Sequence, residues 1–533
     1  MDTPARTRPA RWPYAVSGLL AAASGAAAGH LVAAFVAPES SPVLAVGSQV
    51  IDATPTPVKE WAVRTMGTAD KPILIGSVAV VTLIFAAVAG LVSRRHPTVG
   101  RLMIVVLAAL AAAAAVLRPT AGQTDVIPGL VTGLVGVLVL GALLRLLPRA
   151  GGAEATEGQG TDRHAVESPT DHNARATGEP SPAGRRAFLL GAGGATVGAA
   201  AVGGLGQKLT SDAIAPSTVA LPGATEPLAP LPAGIEGKVP GLTKWRTANK
   251  DFYRIDTALV IPRVDPDSWE LRIDGDVDNP FTLTYAELSA MPLIEKDITM
   301  CCVSNEVGGG YIGGARWLGV PVRELLEKAG VRSGVDQILS TSVDGMTIST
   351  PVQALTDDRD ALLAIGMNGE ALPRRHGYPV RLVTPGLFGF VGSTKWLESL
   401  TATTYAAKKA YWTERDWAID GRVITQSRID TPRGLAQLKA GKTVIGGVAW
   451  AQGRGIEKVE IRIDDGPWQK ATLGPDANID YWRQWFLEWD APAGLHDITV
   501  RATDLTGAVQ VEKRASPFPR GATGWHSIPV NVE

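Results

Sequence analysis

The 533-residue chain has two cysteines, Cys301 and Cys302, and they are neighbours. A bridge between adjacent cysteines closes a strained eight-membered ring, so the chain has no disulfide framework and carries free thiol. The compartment therefore cannot be read from cysteine counting. Charge is scarce as well, at 19% of residues, and Lys+Arg 51 against Asp+Glu 52 leaves a net charge of -1. That balance lacks the basic footprint of a nucleic-acid partner. Internal repeats are absent. What the chain has in quantity is apolar side chains, at 45%, enough to suggest that part of it sits in lipid. A free thiol beside a metal deprotonates into a soft ligand, whereas in an apolar core it is an inert small hydrophobe. Both readings of Cys301 and Cys302 are open at this level.

Apolar runs near residues 14–36, 72–92, 102–117 and 127–147 have interiors free of acid, lysine and arginine. Each is about long enough to cross a hydrocarbon core as a helix, and none has the polar face of a buried soluble helix. Arginines 6, 8 and 11, the loop with Arg94, Arg95 and Arg101, and the segment with Arg145 and Arg149 mark the cytoplasmic side, alternating correctly for four spans. Residues 1–147 are expected to form a transmembrane domain of four helices with a cytoplasmic N-terminus, and the loop after the first span lies outside. His30 is the only histidine in a span. A haem between helices usually needs a facing pair, so His30 reads as structural and no haem is expected in this chain.

Residues 148–184 are rich in Gly, Ala, Glu, Asp, Ser, Thr and Pro and read as a disordered cytoplasmic linker. Residues 185–207 open on Arg185-Arg186-Ala187-Phe188-Leu189-Leu190 and continue in a Gly/Ala-rich apolar run. They read as a fifth span and also resemble a twin-arginine export signal. On either reading, the chain beyond residue 207 emerges on the extracytoplasmic side of the cell membrane. A Pro-rich tether is expected over 208–243.

The remainder is globular. Trp269 to Ile273 reads as a strand before Asp274-Gly275, Thr284-Tyr285-Ala286-Glu287 has capping-box spacing, and Val322, Leu325, Leu326 and Ala329 recur at helical spacing up to Gly330. This pattern predicts an α+β domain over 244–405. Beyond it, Val459, Ile461 and Ile463 alternate with polar residues up to Asp465-Gly466, as do Ile498, Val500 and Ala502. Such strands predict an all-β sandwich of immunoglobulin type over 406–533. Trp482, Trp485 and Trp489 are expected in its core or at an interface.

The block from Met367-Asn368-Gly369 through Leu372-Pro373, His376-Gly377 and Pro379-Val380-Arg381 is dense in directed donors and permissive glycines, and Ser393-Thr394-Lys395-Trp396-Leu397 comes after it. These residues could serve a bulky anionic ligand. Together with Cys302-Val303-Ser304-Asn305 they resemble the sulfite oxidase family of molybdenum enzymes, over roughly residues 244–533. Trp317 in Ala315-Arg316-Trp317-Leu318-Gly319 and Asp360 in Asp360-Ala361-Leu362-Leu363-Ala364 also fit that pattern.

The resemblance implies a molybdopterin-binding catalytic domain over 244–405 and a dimerisation-type sandwich over 406–533, with a homodimer as one possible assembly. It selects Cys302 as the ligand of a molybdenum carried by one pterin. Asn305 would orient the loop, and Arg254, Asp360, His376, Arg381, Ser393, Thr394 and Lys395 would hold the cofactor. Trp317 and Trp417 would stand at the reacting centre. The activity implied is two-electron oxygen-atom transfer on sulfite or another small sulfur compound, with electrons exchanged with a separate protein or the quinone pool.

Three departures qualify the substrate. Val307 stands five residues after the cysteine, where sulfite oxidases carry an anion-binding arginine, Trp417 matches their tyrosine, and Ile255-Asp256 replaces an Asn-His pair. A sulfoxide reductase on the same fold is the alternative. A metal-free cell-surface binding module is the alternative of another class.

Overall fold

The computed structural model describes residues 11–66, 69–147, 182–211 and 220–533. The expected linker falls mainly on 148–181, outside the described residues. Two compact units result, Met1–Ala213 with Ala258–Val260, and Ile214–Thr257 with Ile261–Glu533.

In the first unit five helices are long and apolar enough to cross a membrane by length and composition: Trp12–Val36, Asp70–Ser93, Pro97–Val116, Gln123–Arg145 and Arg186–Leu209. Two shorter helices, Pro42–Ala53 and Thr56–Met66, occupy the stretch that reads as a loop in the sequence. The long helices pack through small residues. A Cβ on Gly18 would stand 2.0 Å from Ala86 O, one on Gly90 2.0 Å from Tyr14 O, and one on Gly25 2.5 Å from Thr132 O. Backbones in such close approach gain packing that larger side chains would forbid. Arg118 pairs with Asp125, both side chains buried.

The fifth of these helices spans Pro182–Ser211, starting inside the expected linker and ending beyond 207. Residues 220–243, the described part of the expected Pro-rich tether, bond to the sheets that follow. Thr225 N donates to Leu293 O (2.9 Å), Glu226 bridges to Ile294, and Ile235 N donates to Gln484 Oε1 (2.8 Å). Proline removes donors, yet the remaining amides between prolines still find partners on neighbouring strands.

The second unit opens with two sheets over one core. One runs in the order Phe281–Thr284, Glu270–Gly275, Leu397–Thr403, Gln337–Ser342, Thr347–Pro351, and only Glu270–Gly275 with Leu397–Thr403 is parallel. The other joins Ile294–Cys301, Ile312–Pro321, Leu362–Met367 and Glu370–Ala371, with Arg381–Val383 also on Leu362–Met367. The Thr284 capping box forms, and Gly330 ends the helix Val322–Ala329 at φ +69, a conformation that costs glycine nothing.

The second sheet is covered on both faces. Leu318, Val320, Leu363, Ile365 and Leu382 share a core with Leu271, Ile273 and Leu400 of the first sheet. Their alternates Trp317, Leu362, Ala364 and Val383 join Ile298 and Met300 in a core on the opposite face. The two-residue period of a strand makes that division. It also puts Arg381 on the face of Val383 and Ala364, and Cys302 in step with Ile298 and Met300.

Two further sheets close the chain. Gln426–Thr431, Gly441–Trp450, Arg483–Ala491 and Thr472–Leu473 form one, and Gln437–Leu438, His526–Val532, Gly494–Asp504, Ile456–Ile463 and Gln469–Lys470 the other. Ile445, Ala449 and Trp485 of the first meet Val459, Ile461, Ile498, Val500 and Val530 of the second.

Candidate functional site

Strand Ile294–Cys301 lies at the edge of its sheet, and Cys302 is the first residue beyond it. The loop after this strand is closed on itself. Cys302 N donates to Tyr311 O (2.9 Å), Asn305 N to Cys302 O (3.0 Å), and Tyr311 N to the side-chain Oδ1 of Asn305 (2.8 Å). Asn305 is buried, so its carbonyl is spent on holding the loop's two ends together.

The two thiols part company here. Cys301 is 2% exposed and packs with Trp245, Val303, Ile312 and Trp482. Cys302 is only partly buried. Burial pushes its thiol pKa up, while hydrogen bonding from Ser304 and the charge of Lys395 work in the other direction. Burial raises Cys301 further, and nearby Cys302 adds to it.

On the same face as Trp317, basic groups converge under little solvent. Arg381 donates from Nε to Ser393 Oγ (2.9 Å) and from Nη1 to His376 O (3.1 Å), and its guanidinium lies 5.5 Å from the Trp317 ring centre. It is 5% exposed, and no carboxylate lies within ion-pair distance of it among the described residues. Burial brings its pKa down to about 10. Lys395 donates to Asp256 Oδ2 (2.9 Å) and Ile255 O (3.2 Å), and burial lowers it to about 8 against the opposing pull of Asp256. Arg254 reaches the same carboxylate through Nε (2.8 Å) and Nη2 (3.1 Å).

His376 is fully buried, and its Nε2 faces Asn249 O at 2.9 Å. That contact puts the proton on Nε2 and leaves Nδ1 as a buried acceptor without a partner. Burial and the neighbouring Arg381 charge lower its pKa to about 3, so the ring is neutral. Phe252 packs edge-on against both His376 and Trp317. Trp317 Nε1 is a second buried atom without a partner.

These features fit an anionic, heteroatom-rich ligand. A buried guanidinium whose hydrogen-bond acceptors are all neutral favours an anion beside it, with only the more distant Asp256 charge in support, and buried unpaired donors and acceptors cost free energy until something satisfies them. The donor set suits a phosphate and a polar ring.

The structure thus gathers Arg254, Trp317, His376, Arg381, Ser393 and Lys395, with Cys302 in electrostatic reach of Lys395. Thr394 lies alongside, its hydroxyl occupied by Ser340 Oγ at 2.5 Å. Asp360 makes its contacts elsewhere, with Lys296 (3.2 Å) and Arg323 (3.7 Å). Trp417 sits in a buried aromatic cluster with Phe390, Trp412 and Phe518, in the same core as Cys301 and Val303, with Nε1 unpartnered.

Asp256 and Tyr253 are not marked as site residues by motif spacing. Tyr253 is held well above the usual phenol range by burial and by the two cysteines. The Phe252-Tyr253-Arg254-Ile255-Asp256 run is the available signal.

Residues 258–412 match the family model described as the oxidoreductase molybdopterin binding domain. Chicken sulfite oxidase is 30% identical over 335 residues, which cover 53% of this chain and 72% of that protein. The chain belongs to the sulfite oxidase family. The human mitochondrial sulfite oxidase is 28% identical over 327 residues, and the match spans 51% of this chain but only 59% of the human protein. Among solved structures, the sulfane dehydrogenase SoxCD from Paracoccus pantotrophus aligns with 55% of this chain and 84% of its own, at 25% identity and a TM-score of 0.48.

Proposed function

We propose that this chain is a membrane-anchored molybdenum enzyme that moves an oxygen atom to or from a small sulfur compound. The observation that carries the proposal is the buried Arg381 guanidinium, which has no carboxylate within ion-pair distance among the described residues, beside His376 with its open Nδ1.

Cys302 would ligate the metal. A metal ligand there would be the thiolate, which burial disfavours and which Ser304 and Lys395 would favour. Asn305 keeps the ligand loop closed. Arg254, Arg381 and Lys395 supply positive charge for the pterin phosphate, the neutral His376 accepts a hydrogen bond, and Ser393 orients Arg381. Trp317 covers the guanidinium on one side, Thr394 ties its segment to Ser340 of the strand Gln337–Ser342, and Asp360 holds the loop entering Leu362–Met367. When bound, the cofactor supplies the two-electron change that accompanies oxygen-atom movement. The protein supplies orientation and charge. The excess buried positive charge speaks against the metal-free binding module.

Sulfite is the first substrate to test. Val307, 8% exposed, and the aromatic surroundings of Trp417 favour a less charged oxide, which supports the sulfoxide reductase reading beside it. The five apolar helices support anchoring in the cell membrane, and the arginine pattern supports an extracytoplasmic catalytic domain. In that setting Arg185-Arg186 serves export of the folded, loaded domain. Electrons pass to or from a separate protein or the quinone pool. The two facing C-terminal sheets support an immunoglobulin-like sandwich, with a homodimer formed through it.

Metal analysis of the full chain made alongside a molybdopterin pathway, with Cys302→Ser as control, tests the site. Wild type is expected to carry molybdenum at stoichiometric level, and C302S to hold it less tightly. Wild type without molybdenum overturns the proposal. Side-by-side assays of sulfite oxidation and sulfoxide reduction then choose the substrate, since turnover of one at a level comparable to its dedicated enzymes excludes the other as principal activity.

A further inference from the structure

The loop that carries Cys302 is held from outside its own domain. Arg428, on the strand Gln426–Thr431, spreads its guanidinium over three partners: Asp430 Oδ1 through Nε (2.6 Å), Gly309 O through Nη1 (2.7 Å) and Thr243 Oγ1 through Nη2 (2.9 Å). His526, at the head of the last strand, accepts from Ile429 N at Nδ1 (3.0 Å) and turns the rest of its ring onto Gly308. A Cβ on Gly308 would stand 2.3 Å from His526 Nε2, and Gly308 has φ +82. Only glycine fits there, on both counts.

Behind the loop, the edge of strand Ile294–Cys301 is covered from the same side. Thr299 N donates to Asp480 O (2.9 Å), Gln452 Nε2 donates to Thr299 O (2.8 Å), and Trp482 N donates to Thr299 Oγ1 (2.8 Å). The segment before Cys302 is therefore fixed by loops between the C-terminal strands, and the segment after it by Arg428 and His526 on the strands themselves.

Arg428 does not restore the positive charge missing at Val307. Its own charge is met by Asp430, whose side chain is 7% exposed. What the guanidinium contributes is geometry. A planar group with three directed bonds fixes the Gly309 carbonyl far better than a mobile lysine could.

We infer that Arg428 and His526 are positioning residues, which set the orientation of the Cys302 ligand loop from the C-terminal sheets. The functional half rests on the assignment of Cys302 as metal ligand; the structural half does not. A ligand on a loop with three glycines in a row would otherwise sample many orientations, and ligands perform when neighbouring groups hold them.

Hydrogen–deuterium exchange on the full chain in detergent tests the structural half without any cofactor. Arg428→Met is expected to speed exchange at the Cys302 and Tyr311 amides about tenfold, with strands Gly441–Trp450 and Ile456–Ile463 protected as in wild type. Arg428→Lys is expected to recover only part of that protection. Folded R428M with wild-type exchange at both amides overturns the inference. If R428M does not accumulate, Gly308→Ala is read in the same way, because its Cβ must displace the loop or the His526 ring; wild-type exchange there also overturns it.

On loaded protein, the paramagnetic resonance signature of bound molybdenum is expected to shift in R428M at unchanged metal content. Faster exchange with an unshifted signature would detach the brace from the metal and overturn the positioning role. Molybdenum missing from wild type would sink the assignment of Cys302 and leave the exchange result standing.

Discussion

Lys395 Nζ meets Asp256 Oδ2 at 2.9 Å, and both side chains are buried, at 9% and 8% exposure. The same carboxylate takes Arg254, so one acid orders two cations. The basic groups of the site are thus arranged before any ligand arrives, which lowers the cost of ordering them on binding. Asp256 thus puts a carboxylate among the cations.

Asp256→Asn is expected to lower the Lys395 pKa below its present value of about 8, because burial depresses it and Asp256 is the main group holding it up. The measurement is the pH dependence of Lys395 acylation in the apoprotein, read by mass spectrometry. Labelling is expected to begin at lower pH in D256N. An unchanged profile would show that Asp256 does not govern this lysine.

Stability should fall on mild acidification, and two histidines give the reason. His376 is lowered to about 3 and His526 to about 4 from an ordinary value of 6.5, in both cases mainly by burial. Between the folded and ordinary values the unfolded chain binds protons that the folded chain refuses, so acid favours unfolding. The contribution is fully present above about pH 6.5 and is lost as the pH drops toward 4 for His526 and 3 for His376. Denaturant melts of the apoprotein from pH 7 to 4 should show this slope, and His376→Gln with His526→Gln should flatten it. A double variant as acid-sensitive as wild type would remove the histidines from the account.

In the helical unit, Gly90→Leu is expected to destabilise by about 1–3 kcal/mol or more, since its Cβ would press on the Tyr14 carbonyl. A Cβ on Gly194 meets nothing within 4 Å, and Gly194→Leu should be neutral. Thermal retention of the monodisperse peak in detergent compares the two. Equal losses would mean that the close approach of Gly90 to Tyr14 does not carry the packing.

The local signals in the chain predicted the local structure well. The Thr284 box, the Gly330 stop and the alternation through Val459 and Ile461 need only neighbours a few residues away, and all three form. Trp482, Trp485 and Trp489 show where such reading stops. Trp485 lies in the core between the C-terminal sheets with Trp489 packed against it, whereas Trp482 packs in a separate cluster with Trp245, Cys301 and Ile312, its Nε1 on Trp245 O at 2.8 Å. Spacing alone does not separate them.

By itself, the sequence determined the family and the apolar helices, because motif blocks and periodicity are written in consecutive residues. Tertiary structure alone decided that residues 220–243 dock, that Asp256 organises the basic cluster and that Arg428 reaches Gly309, 119 residues away. Such partners are set by how separate sheets pack, and a chain read in order carries no local mark of the distant carbonyl that a guanidinium will find.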